Sequence, residues 1–111
     1  MQSFYSLGQL LRDQLASKSP YLEFLRVPNL SCGIYVLPAG AKDYQQPHRQ
    51  DEIYYVLTGA ASMKVQSESS EEDRAVGPGD LIFVAAHQEH RFHDVTEELT
   101  VLVVFAPAMS G

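Results

Sequence analysis

Apolar residues recur along this chain at two different spacings, and the change falls near residue 20. Leu7, Leu10, Leu11 and Leu15 stand three and four apart, the stripe of an amphipathic helix that ends near Ser17, ahead of Pro20. From Tyr21 onward the apolar runs are short, rich in Val, Ile, Tyr and Phe, and punctuated by Gly and Pro, which predicts an all-β domain. Candidate strands are Tyr21–Val27, Leu30–Leu37, Glu52–Leu57, Ala61–Gln66, Asp73–Val76, Leu81–Ala85, His90–Val95 and Leu99–Phe105. Pro28-Asn29, Pro38-Ala39-Gly40, Thr58-Gly59 and Gly77-Pro78-Gly79-Asp80 supply the turn chemistry between them. The division expected is a helical arm over residues 1–19 and a β domain over 20–111, together one domain.

Two runs, Leu81-Ile82-Phe83-Val84 and Leu99-Thr100-Val101-Leu102-Val103-Val104-Phe105, are apolar on both faces and need cover on both. One face fills an interior, and the other meets an extra strand, the arm or a second subunit, so a homodimer is expected. The polar face of the helix is not basic, which favours packing on the barrel or a partner over a membrane surface. Ser67-Glu68-Ser69-Ser70-Glu71-Glu72 reads as a solvated acidic hairpin tip, without the alternating ligands and glycine of a calcium loop.

A length of 111 residues suits one domain with its own core. Net charge is −6 and no basic run exceeds one residue, so nucleic acid is excluded as an expected partner. No apolar stretch is long enough to span a bilayer and the N-terminus lacks a basic leader, so no membrane role is expected and the location expected is cytoplasmic. The single cysteine, Cys32, sits among strand-like neighbours without a base or a second thiol nearby, and reads as a buried, inert thiol.

Candidate chemistry gathers in two segments. Gly40 to Gly59 carries Gln46, His48 and Glu52 just ahead of an apolar strand, and Gly79 to Asp94 carries His87, His90 and His93. Strand alternation puts Gln46 and His48 on one face, with Glu52, Tyr54 and Val56 following inward if the turn keeps parity. His90 then faces in with Phe92, and His93 faces out. A His87, His90, His93 stripe would need a helix, which the β-like surroundings do not favour. Imidazole and carboxylate together suit borderline divalent metals and leave positions open for water or substrate.

At these residues the chain resembles the cupin superfamily, whose motifs run G-x5-H-x-H-x3,4-E-x6-G and G-x5-P-x-G-x2-H-x3-N. Gly40, Gln46, His48, Glu52 and Gly59 fall on the first, and Gly79, Ala85, His87, His90 and Asp94 on the second, without a gap. Four positions depart: Gln46 for the first histidine, Ala85 for proline, His87 for glycine and Asp94 for asparagine. The resemblance implies a double-stranded β-helix, or jelly-roll, barrel over roughly residues 30–106. It also implies one divalent metal per chain at His48, Glu52 and His90, with Gln46 at the fourth position. The Gln46 amide ligates weakly, through water, or not at all. Two histidines and one carboxylate favour Fe(II), while Mn, Zn, Ni and Cu accept the same donors.

The function expected is a metal-dependent enzyme on a small organic molecule, with dioxygenase-like chemistry favoured slightly over a redox-neutral isomerase or lyase. A non-catalytic cupin that binds a small ligand or a metal is the alternative. Glu52, Tyr44 and Tyr54 are the candidate catalytic groups, the two tyrosines as lumen-facing contacts or weak acids. Asp43 and Asp51 read as turn residues, and Arg49, Glu89 and Arg91 as solvated.

Overall fold

The computed structural model describes residues 2–45 and 47–109. One helix, α1 (Leu7–Ser17), precedes six strands: β1 (Tyr21–Val27), β2 (Leu30–Leu37), β3 (Asp51–Gln66), β4 (Glu71–Val76), β5 (Leu81–Val84) and β6 (Glu89–Ala106). The helix ends where Lys18 adopts a left-handed conformation and its N–H donates to the Leu15 carbonyl. It packs against β1 and β2 through its middle, with Leu10 and Leu11 half buried and Leu7 and Leu15 exposed. Gln14 is buried instead of Leu15, because its amide donates at 2.8 Å to the Ser19 carbonyl at the turn into β1.

Every strand pairing is antiparallel, in the order β1-β2-β6-β3-β4, with β5 also on β3. The eight predicted strands become six because β3 and β6 each run through a stretch that reads as a break in sequence. Along β3 the register with β6 slips between Val56 and Thr58, again before Ala60, and again before Ser62. Gly59 lies among these shifts at φ 102°, a conformation that L side chains rarely adopt, and a Cβ there would run into the Glu98 carbonyl. Thr58-Gly59 is thus a bulge that bends a continuous strand. The acidic loop is shorter than expected: Gln66 pairs with Glu71, and Ser67 and Ser70 close the turn through backbone and hydroxyl bonds of 2.8 Å.

These bends close the barrel. A straight ladder would place Glu52 about 40 Å from Val65 at ~3.3 Å per residue, and His90 is the register partner of Val65. Yet His90 Nε2 lies 3.2 Å from Glu52 Oε1. The ladder therefore folds over into two layers. One holds β1, β2, the second half of β6, the first half of β3, and β5; the other holds the first half of β6, the second half of β3, and β4. Between them sits a core that includes Tyr54, Val56, Met63, Val84, Phe92, Leu99, Val101, Val103 and Phe105. This is the jelly-roll barrel, and the even-numbered positions of β3 from Glu52 to Val56 point into it.

α1 covers the β1–β2 end of the first layer's outer face, and the β3–β5 end is exposed. Leu81 and Phe83 are 70% and 62% exposed, and their register partners Tyr55 and Ile53 are also exposed. Cys32 is half buried and burial pushes its thiol pKa up, which keeps it protonated. No helix among the described residues is long and apolar enough to cross a membrane.

Candidate metal centre

His48 comes from the segment between β2 and β3, Glu52 from the second position of β3, and His90 from the second position of β6. Closure of the barrel brings one ligand atom from each within 4.8 Å of the others. Glu52 is 1% exposed, and among the described residues no hydrogen bond of proper geometry reaches either carboxylate oxygen, although His90 Nε2 approaches one at 3.2 Å. A buried carboxylate left in this state is costly unless a proton or cation shares the space.

His90 is aimed by its backbone. Its Nδ1 lies 3.0 Å from the Gln88 carbonyl, which only accepts, so the neutral ring carries its proton on Nδ1 and turns a bare Nε2 inward. That nitrogen also lies 3.1 Å from the Tyr54 hydroxyl. His48 is held through its backbone carbonyl, which accepts from the His87 N–H at 2.6 Å, and its ring stands edge-on to Phe105 with centroids 5.0 Å apart. His87 fills the glycine slot of the second motif at φ 68°.

The two histidines feel the site differently. Burial pulls the His48 pKa down, and Glu52 only partly offsets this. Burial also works against the charged form of His90, but the neighbouring Glu52 and the Gln88 carbonyl outweigh it, so its pKa rises. Burial, followed by Glu52, holds the Tyr54 hydroxyl well above its ordinary value, so it keeps its proton at neutral pH.

Side chains that sequence reasoning gave no role support this cluster. Gln45 donates through Nε2 to Asp43 at 3.0 Å, which turns its Oε1 toward Tyr54 at 3.0 Å and His48 Nε2 at 3.3 Å. Asp43, expected to be a plain turn residue, also accepts from the Tyr35 hydroxyl and the Phe92 N–H, both at 2.9 Å. Asp51 accepts from the Ala86 N–H at 2.9 Å and ties the two motif segments together. Parity along an extended segment was the available signal: Asp43 and Gln45 share one face, and Tyr44 takes the other.

That parity corrects the expectation for Tyr44, which is 79% exposed and does not line the lumen. Tyr54 does, fully buried between Gln45 and His90. Gln46 lies outside the described residues. His93 sits on the outer surface between Asp73 at 2.7 Å and Asp94 at 3.0 Å, so only His90 of the three second-segment histidines joins the cluster. A surface cleft of about 330 Å³ beside the cluster is lined by Asp43, Gln45, Lys64, Glu89, Arg91 and His90, whose side chain is itself fully buried.

Two imidazoles and an unpartnered carboxylate, with one ring oriented by a carbonyl, form a donor set that fits a divalent cation. The cupin domain family model matches residues 33–105. An uncharacterized protein of Streptomyces coelicolor is 42% identical over 106 residues, covering 96% of this chain and 97% of the relative. Among solved structures, KdgF from Halomonas sp. superposes with a TM-score of 0.67 at 25% identity, over 78% of each chain. The S161A mutant of Bacillus subtilis oxalate decarboxylase superposes at 0.68 with 26% identity over 72% of this chain, which spans only 22% of that longer protein. By sequence match and by fold, the chain belongs to the cupins.

Proposed function

We propose that this cupin is a metal-dependent enzyme on a small chelating organic molecule, with one divalent cation per chain held by His48, Glu52 and His90. Fe(II) serving oxygen chemistry is the assignment we favour. The observation that carries the reading is the Glu52 carboxylate, buried with both oxygens unpartnered beside two inward-facing imidazoles. Three protein donors leave coordination positions open, and the chemistry a bound cation supplies there is Lewis acidity and, for Fe(II), redox capacity.

The chain's own groups do the rest. Gln88 holds His90 in the ligating tautomer. Tyr54 retains its proton beside His90 and can donate it to a substrate oxygen in exchange for the Gln45 amide oxygen that now accepts it. Phe92 and Phe105 exclude water around the cluster. The likeness to a protein that decarboxylates oxalate supports a small carboxylic acid as the substrate class. We also infer a homodimer in which the exposed face of Ile53, Tyr55, Leu81 and Phe83 is covered by a second copy.

The test is metal analysis of protein purified without chelator, followed by dioxygen consumption after anaerobic loading with Fe(II). Addition of a bidentate molecule such as a catechol, a diketone or a thiol acid should accelerate consumption, and Glu52→Ala should abolish the response. A rate indifferent to every added molecule, with ligand-induced thermal stabilisation, would instead favour a binding protein or a redox-neutral isomerase or lyase. Protein that neither holds nor takes up metal would overturn the reading.

A further inference from the structure

Among the described residues, three buried side-chain polar atoms lack a hydrogen-bond partner: both Glu52 carboxylate oxygens and the Tyr21 hydroxyl. Glu52 is accounted for by a cation. Tyr21 lies on β1, ahead of the residues that the cupin domain matches, and nothing so far explains its orphaned hydroxyl.

Register places it on the inner face. Tyr21 pairs with Tyr35, Tyr35 with Val101, and Val101 with Val56, a row whose β3 and β6 members are core residues. From this row the ring leans across Gly33, where a Cβ would collide with its hydroxyl end. Gly33 belongs to the next row, with Val103 and Tyr54, one step closer to Glu52. The ring meets Phe105 edge-on at 6.4 Å, and Phe105 meets His48 at 5.0 Å, so one aromatic ring separates Tyr21 from a cluster histidine. Two strand spacings, about 10 Å, separate the Gly33 and Tyr54 backbones, and the Tyr21 ring lies over the Gly33 end of that span.

Resting on the metal-site reading above, we propose that Tyr21 is a specificity residue: its hydroxyl donates to the second polar end of a short two-ended acid whose first end binds at the His48, Glu52 and His90 cluster. Burial, with Glu23, Cys32 and Glu52 nearby, pushes the Tyr21 pKa well up, so the group arrives protonated, with a proton to donate to an acceptor. A second carboxylate meets that need, since its oxygens only accept. Gly33 makes the notch that admits the ring, a role only the smallest residue can fill here.

The experiment compares wild type, Tyr21→Phe and Gly33→Ala, each loaded with Co(II) as a spectroscopic probe. Acetate, oxalate, malonate and succinate are titrated against the visible spectrum. Metal stoichiometry should be the same in wild type and Tyr21→Phe. The dicarboxylate that wild type binds best should weaken in Tyr21→Phe by about 10-fold to 100-fold, the loss of a hydrogen bond to a charged group, while acetate is unchanged. Without metal or ligand, Tyr21→Phe should melt roughly 4 °C higher, because an unpartnered buried hydroxyl is gone. Gly33→Ala, by displacing the ring, should show the same ligand defect. Equal dicarboxylate affinity in wild type and Tyr21→Phe, or a lower melting temperature for Tyr21→Phe, would overturn the proposal while leaving the metal site standing. Absence of Co(II) uptake by wild type would overturn the metal reading and this inference with it.

Discussion

Replacing Glu52 by glutamine removes one negative charge and leaves the side chain's size unchanged, so it isolates what the buried carboxylate does. In metal-free protein each of its two unpartnered oxygens costs about 1–3 kcal/mol. A glutamine amide in their place can donate to the bare Nε2 of His90, 3.2 Å from the present Oε1. We therefore expect metal-free Glu52→Gln to be more stable than wild type by about 2 kcal/mol, a rise on the order of 8 °C for a domain of this size. The melts belong at about pH 8.5, above the ordinary histidine range, so that a protonated His90 does not partner the carboxylate. With divalent metal at 100 times its Kd, wild type should gain about 2.7 kcal/mol and the variant almost nothing, reversing their order. The assay is thermal unfolding by circular dichroism, with chelator and with Zn(II) or Fe(II). A metal-free Glu52→Gln less stable than wild type, or an equal response of both proteins to metal, would refute the reasoning.

Metal affinity should fall with pH, since the imidazoles ligate only when neutral: protons compete at His90 from above the ordinary range because its pKa is raised, and at His48 only at lower pH. Chelator competition from about pH 8 to 5 should show a shallow decline that steepens; the His90 contribution to metal-free stability has the opposite sign, present at low pH and lost as pH rises through its raised value. His87→Gly should stabilise the protein by about 0.5–1 kcal/mol by relieving the left-handed backbone, checked by urea unfolding. The double variant Leu81→Lys, Phe83→Lys should shift a dimer to monomer in light scattering without loss of β signal; a wild type that is already monomeric at micromolar concentration would refute the dimer.

The layout of the barrel was legible because strand parity and turn residues report it directly. Glu52, Tyr54 and Val56 face inward as alternation requires, and Phe92 and His93 divide between the two faces. What alternation cannot report is whether a glycine ends a strand or bends it. Gly59 looks like a turn until β6 is seen pressed against it. Tertiary partners hid the other features. Asp43 became an anchor only once Tyr35 and Phe92 arrived from other strands, and Tyr21 gained interest only through the notch at Gly33, which a linear sequence does not show.

The folding-over of the β3–β6 ladder would let Glu52 and His90, separated by about 40 residues of chain, hold one ion between them. A metal there would be a removable cross-link that binds the folded chain alone, so the stability it adds grows with the logarithm of its free concentration over Kd. The layers should breathe apart when the ion leaves and lock when it returns, with amide exchange near Thr58 to Ser62 slowing on binding. The lifetime of the folded chain would then track metal supply, so that protein abundance itself becomes a readout of the ion it needs.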